Sequence, residues 1–321
     1  LDEALQAVSE QSEKARIKSV ALGVKAKVLS GHTLAESLSD FRKIFPAVYR
    51  ATVAAGEQSG RLDTILDRLA EYTESRHSLR QKINHALIYP VVLTGLSLTI
   101  IVLMLVYVVP KVVGVFQTSG QSLPILTRSL IWFSDFLQHW WLGILGALGI
   151  LVFTIHRSLA NEGTKKRAHR WILKMPVIGK VSRGLNTARF TRTFSILNSS
   201  GVPVLESLRI SASVVSNLPM RDAVEKAAMR VREGSAIGHA LNKSGVFPAM
   251  SIHLISSGEA SGELDSMLER AATHQEKEMD STLTTMLNLL EPILIIFMGL
   301  IVLAIVMAVL LPIFQINQLI L

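Results

Sequence analysis

Gly56-Glu57-Gln58-Ser59-Gly60-Arg61-Leu62-Asp63 returns 202 positions later as Gly258-Glu259-Ala260-Ser261-Gly262-Glu263-Leu264-Asp265. The agreement widens on both sides at the same offset. Upstream, Phe45-Pro46-Ala47 becomes Phe247-Pro248-Ala249. Downstream, Leu66, Arg68, Ala70 and Glu74 become Leu268, Arg270, Ala272 and Glu276. Pro90 and Pro110 become Pro292 and Pro312, and a long apolar run lies between the prolines each time. The sequence therefore reads as one unit written twice, a polar helical stretch that runs into a membrane-crossing helix. Two copies give a scaffold two similar docking faces.

Around the block the pattern is helical. Apolar residues at helical spacing predict a helix over 15–29, stopped by Gly31. Thr33-Leu34-Ala35-Glu36 has the form of a capping box. Phe45-Pro46 opens a further segment expected to end near Gly56. The next helix runs from Leu62 to about Arg80, with Asp63 at its positive dipole end. Gly56 and Gly258 are read as left-handed helix stops, and Gly60 and Gly262 as the tight restart. Glu57 and Glu259 are candidate partner contacts, because the corner itself needs neither charge. No stretch shows sustained strand alternation.

Composition agrees with a membrane protein that has polar domains. Mean hydropathy is +0.39, with 49% hydrophobic and 18% charged residues among 321. Cysteine is absent, which excludes disulfides and thiolate metal sites. Basic residues sort by segment: thirteen Lys and Arg in 1–86, two in 111–139, eighteen in 157–290 and none in 313–321. By the positive-inside rule this places the two large segments in the cytoplasm. Eleven acidic residues interleave in the first and twelve in the second, up to Asp280, so the net charge of +8 marks topology and not nucleic-acid binding.

The expected architecture is all-α, a polytopic membrane protein with two repeated cytoplasmic helical bundles and three transmembrane helices. The first cytoplasmic domain is 1–85, the first transmembrane helix 86–110 and a periplasmic loop 111–138. The second transmembrane helix is 139–156, the second cytoplasmic domain 157–290, the third transmembrane helix 291–312 and a periplasmic tail 313–321. Leu1-Asp2-Glu3-Ala4-Leu5 aligns with Val204-Leu205-Glu206-Ser207-Leu208, and the helical stretch from Ala188 to Pro203 has no counterpart. The first bundle is thus expected to lack its first helix. No P-loop and no His-Glu-x-x-His motif points to an enzyme. His274 and Glu278 share a helix face that could hold a metal, or simply be solvated. The apolar segments lack an ionisable pathway, which argues against a small-solute transporter.

The duplicated GExSGxLD block, the preceding Phe-Pro-Ala, Ala86-Leu87-Ile88-Tyr89-Pro90 and Asn186-Thr187-Ala188-Arg189-Phe190-Thr191-Arg192-Thr193 resemble the GspF/PilC family. These are inner-membrane platform proteins of bacterial type II secretion and type IV pilus machines, and the wording lies nearer the secretion branch. The resemblance implies a non-enzymatic platform of the bacterial inner membrane that couples a cytoplasmic ATPase to pseudopilus assembly. Its expected partners are that ATPase, other inner-membrane components, pseudopilins and further copies of itself. It also implies calcium in the first cytoplasmic domain, on Glu13, Asp67 and Glu71, whose counterparts in the second are Ser216, Glu269 and Thr273. The alternatives are a type IV pilus platform or, in a different class, a small-solute transporter.

Overall fold

The computed structural model describes residues 1–104, 107 and 125–320, and among them every regular element is helical with no strand. In chain order the helices are α1 (Asp2–Gln11), α2 (Ala15–Leu29), α3 (Leu34–Ser39), α4 (Ala47–Ser59) and α5 (Leu62–Leu103). They continue as α6 (Ile125–Ala160), α7 (Glu162–Lys174), α8 (Ile178–Ser199), α9 (Val204–Val214) and α10 (Leu218–Arg232). The last three are α11 (Ile237–Asn242), α12 (Ala249–Ser261) and α13 (Leu264–Ile320). The starts of α9 to α13 fall 202 or 203 positions after those of α1 to α5.

The chain divides into two compact units. One holds Leu1–Leu79 with Lys165–Thr282, the other Arg80–Thr164 with Leu283–Leu321. The first unit has two apolar cores. The smaller gathers Val24, Leu34, Leu38, Val53, Ile65 and Leu69. The larger gathers Leu208, Met220, Val224, Leu241, Ile255 and Leu268 around Phe190 and Phe194 of α8. Those two phenylalanines are fully buried, and each such burial stabilises by about 2–3 kcal/mol. Leu268 is fully buried, whereas Leu66 at the matching position of α5 is 39% exposed.

The second unit is apolar on its outside. Val91, Val92 and Leu96 of α5, and Ile293, Ile296 and Phe297 of α13, are more than half exposed. Such a surface is stable in hydrocarbon and not in water. Gln81–Leu103 and Leu264–Ala308 contain windows long and apolar enough to cross a membrane. The expected middle helix, 139–156, lies inside the 36-residue α6, but several of its side chains lie outside the described set. Among the described residues two helices, not three, meet the requirement.

The helices run on past several of the expected segment bounds. The expected loop 111–138 is helical from Ile125 on, and 111–124 lies outside the described residues. The helix expected to end near Arg80 continues to Leu103, and α13 runs through the expected tail to Ile320. An apolar segment that follows a helix in phase has no reason to break the i→i−4 ladder on leaving the polar domain. The expected helix over 15–29 and the Thr33–Glu36 capping box are both present, and Gly31 has φ 89°.

The corner glycines exchange roles with respect to the sequence reading. The left-handed residues are Gly60 (φ 68°) and Gly262 (φ 75°), which end α4 and α12. Arg61 N donates to Gly56 O at 3.0 Å and Gly60 N to Glu57 O at 3.4 Å, the paired bonds of a Schellman stop. Gly56 and Gly258 lie inside α4 and α12, with ordinary backbone angles, where the next helix comes closest. A Cβ on Gly56 would meet Ile65 Cδ1 at 2.9 Å, whereas one on Gly258 would meet Met267 Cβ at 2.6 Å and the Leu264 Cα at 3.1 Å. The first clash is with a movable side-chain tip, the second with a Cβ whose place the backbone fixes, and a backbone Cα lies just beyond it. We therefore expect Gly258→Ala to cost about 1–3 kcal/mol and Gly56→Ala clearly less. Unfolding midpoints of the detergent-solubilised chain check this, and equal midpoints would contradict it.

Candidate functional site

The polar chemistry of the first unit is concentrated at the two corners and along α8. At the first corner, the Glu57 carboxylate accepts from the backbone N–H of Leu34 at 2.5 Å and of Ala35 at 3.0 Å. At the second, Glu259 accepts from Ile237 N at 2.7 Å and Gly238 N at 3.2 Å. In both cases one carboxylate takes the first two amides of the short helix, α3 or α11. These amides have no partner within their own helix, and the helix dipole favours a negative charge there. The corner thus uses the charge that the sequence reading left free for a partner.

The two short helices differ in their remaining support. At α3, Thr33 and Glu36 close a reciprocal capping box, with Glu36 N donating to Thr33 Oγ1 at 3.1 Å and Thr33 N to Glu36 Oε2 at 3.3 Å. At α11 the residue in that place is Ala236, which supplies no side-chain cap. Glu259 therefore holds its helix without the help that Glu57 has.

Along α8, Arg192 spans three residues of α13. Its Nε donates to Glu276 Oε1 at 2.8 Å and its Nη2 to Glu276 Oε2 at 2.5 Å, a bidentate pair. Its Nη1 reaches Glu269 Oε1 at 2.5 Å and its Nη2 reaches Thr273 Oγ1 at 3.4 Å. Ser195 Oγ donates to the other Glu269 oxygen at 2.9 Å. The hydrogen bond to Glu276 raises the Arg192 guanidinium further above its ordinary value, against burial and with Glu269 in support. Burial acts to raise the Glu269 carboxyl, but the hydrogen bond and charge of Arg192, with Ser195 and Arg68, outweigh it and hold Glu269 below its ordinary value.

This ion network borders a polar cleft of about 550 Å³ whose lining also includes Arg68, Glu71 and Tyr72 of α5 and Asp265 of α13. Arg68 donates to Ser199 Oγ across it. Its lining carries two guanidinium groups, Arg68 and Arg192, against four carboxylates, Glu71, Asp265, Glu269 and Glu276, so the cleft is acidic on balance.

The three carboxylates of the implied calcium site are not brought together among the described residues. Glu13, Asp67 and Glu71 are exposed, and among the described residues no group of three or more His, Cys, Asp or Glu is placed to hold a metal ion. The same applies to His274 and Glu278. In the second half the corresponding positions carry guanidinium groups. Arg189 Nη1 donates to Ser216 Oγ at 2.7 Å, and Arg192 covers Glu269 and Thr273. Arg192 is the residue that the sequence reading missed as a site. It stood in the quoted Asn186–Thr193 run, but its partners lie 77 and 84 positions away, beyond the reach of any local pattern.

The comparisons with known proteins follow the same division of the chain. A family described as "Type II secretion system (T2SS), protein F" matches residues 1–110 and 190–312. The chain belongs to the type II secretion system protein F family. It is 48% identical over 321 residues to a type II secretion system protein F of Pseudomonas aeruginosa, covering 100% of this chain and 79% of that protein. It is 46% identical to the one of Vibrio cholerae over 99% of this chain and 79% of that protein. Type IV pilus relatives are also similar. The assembly protein TapC of Aeromonas hydrophila is 34% identical over 100% of this chain and 78% of that protein. The two family matches take in both Gly-Glu corners, α8 from Phe190 onward and the apolar part of α5, and leave out α6 and α7.

The Arg192 network fixes a pH dependence for this F-family chain. A depressed carboxyl contributes stability that is present above its unfolded value, 4.5, and lost as pH falls through the folded value. Arg192→Leu is expected to lower stability by about 2 kcal/mol at neutral pH, the loss of hydrogen bonds to a charged group. It should also flatten the decline below pH 4.5 that Glu269 causes. Parallel acid titrations of the two proteins, followed by circular dichroism, would contradict this assignment if the profiles differed by a constant offset alone.

Proposed function

We propose that the chain is the inner-membrane platform of a type II secretion machine, coupling a cytoplasmic ATPase to pseudopilus assembly for protein export. Membership of the protein F family supports the machine. The observation that carries the coupling role is the paired corner. Twice, a short helix is held by a carboxylate at a left-handed glycine stop, and the helix that restarts there runs unbroken into an apolar segment. α5 has 42 residues and α13 has 57, each without a break in the helix. A load placed on either corner is borne by one continuous helix.

In this reading the two halves are a repeat of one docking unit, and both face the cytoplasm. The apolar part of α6 supplies a third crossing, and the C-terminus lies in the periplasm. The Lys and Arg asymmetry supports this topology. Pseudopilins, the other inner-membrane components and further copies of the chain are the expected partners. Glu57 and Glu259 are proposed to act on partners indirectly, by setting the angle of the corner.

Deleting the gene in its own bacterium separates the readings. Exported enzymes should accumulate in the periplasm while pili are still made. The co-purified membrane complex should contain an ATPase and pilin-like proteins. Reporters fused at Lys226 and after Leu321 should read cytoplasmic and periplasmic. Loss of pili with export intact would assign the chain to the pilus branch of the family. Solute flux through proteoliposomes, with no effect on export, would replace a platform with a transporter.

A further inference from the structure

The helix α7 carries five Lys and Arg in 13 residues and has no buried residue. Lys165, Lys166, Arg167, Arg170 and Lys174 stand against the single acid Glu162. Its inner face is fixed. The His169 ring Nδ1 accepts from Leu218 N at 3.1 Å, and the His169 carbonyl accepts from Asn217 Nδ2 at 3.3 Å. Burial, with the charge of Lys165, lowers the His169 pKa and so favours the neutral ring that this acceptor role needs. Lys166 pairs with Asp222, and Leu173 packs on the larger core.

Those anchors decide what the outer face presents. At 100° per residue, Arg167, Trp171 and Lys174 lie on the side away from His169 and Leu173, with Arg170 at its edge. All four are exposed. Trp171 is 67% exposed, and Val177 and Ile178, just beyond the helix, are 56% and 51% exposed. A tryptophan ringed by three cations, with aliphatic residues at one end, has the chemistry of a headgroup layer. Its amphipathic ring suits the boundary, and the cations suit phosphates. The helix also follows α6 directly, since Ala160 ends one and Glu162 begins the other.

From this charge complementarity and continuity we infer that the outer face of α7 docks on the anionic phospholipid surface of the membrane, with Trp171 in the headgroup layer. The inference rests on the proposed reading of α6 as a membrane crossing.

Single-tryptophan forms of the full chain test this. One keeps Trp171 and the other keeps Trp140, with the remaining tryptophans changed to Phe. Each is reconstituted in vesicles of phosphatidylcholine with or without phosphatidylglycerol, with brominated or plain acyl chains. Trp171 emission should shift to shorter wavelength and be quenched by brominated lipid in the anionic vesicles. The quenching should fall in pure phosphatidylcholine, in high salt, and in the Arg167→Gln, Arg170→Gln, Lys174→Gln variant. Trp140 should be quenched in every case. An unquenched, water-like Trp171 beside a quenched Trp140 would overturn the docking and leave the crossing intact. Shielding of Trp171 by an added soluble protein but not by lipid would overturn it in favour of a protein partner. A Trp140 that is also unquenched would remove the crossing, and the docking with it.

Discussion

The structure of the polar unit depends on a carboxylate that leaves one corner to hold the start of another helix. Glu57 and Glu259 each sit three residues before a left-handed glycine and reach back over 21 to 23 positions to two amides. A six-residue helix such as α3 or α11 is too short to be stable by its own ladder. The carboxylate, together with the apolar contacts of Leu34, Leu38, Ile237 and Leu241, ties it to the helix that precedes the corner. The glycine inside that helix then lets α5 or α13 approach closely. Short helix, corner and long helix form one linked element, and a change at any of its three positions is felt by the others.

The two halves share that element and differ in what covers it. In the second, α8 brings Phe190 and Phe194 into the core and sets Arg192 against Glu269 and Glu276. Leu268 is buried in consequence, while Leu66 remains half open. The cation that the sequence reading placed among Asp67 and Glu71 has a protein counterpart in the other half, the Arg192 guanidinium beside Glu269 and Thr273. In the second half a guanidinium is thus built into the fold against this helix face.

The helical class, the corner and the 202-residue offset were legible because they are local or periodic. Thr33-x-x-Glu36 and a helix over 15–29 follow from spacing alone. The apolar segments of α5 and α13 follow from composition. Boundaries were less legible. The reading ended α5's polar part near Arg80 because charge gives way to apolar residues there, yet the backbone ladder is indifferent to that change. The glycine roles were exchanged because Gly56 and Gly60 both fit a turn, and only the distance to Ile65 or Met267 tells close packing from left-handed geometry. The contacts of Glu259 and Arg192 were not legible, since each joins elements whose pairing depends on the tertiary fold. Nor was the docked inner face of α7, because His169 gives no signal of the Leu218 amide that it receives.

The account stands most directly on the carboxylate at the short helix. Amide-resolved hydrogen exchange on the reconstituted full chain reads it. In Glu259→Ala the amides of Ile237 and Gly238 should exchange about tenfold faster, the equivalent of roughly 1.4 kcal/mol lost from a charge-assisted cap. In Glu57→Ala the change at Leu34 and Ala35 should be smaller, because the Thr33–Glu36 box remains. Protection at Ile237 and Gly238 that does not change in Glu259→Ala would contradict the account, and so would equal acceleration throughout the polar unit.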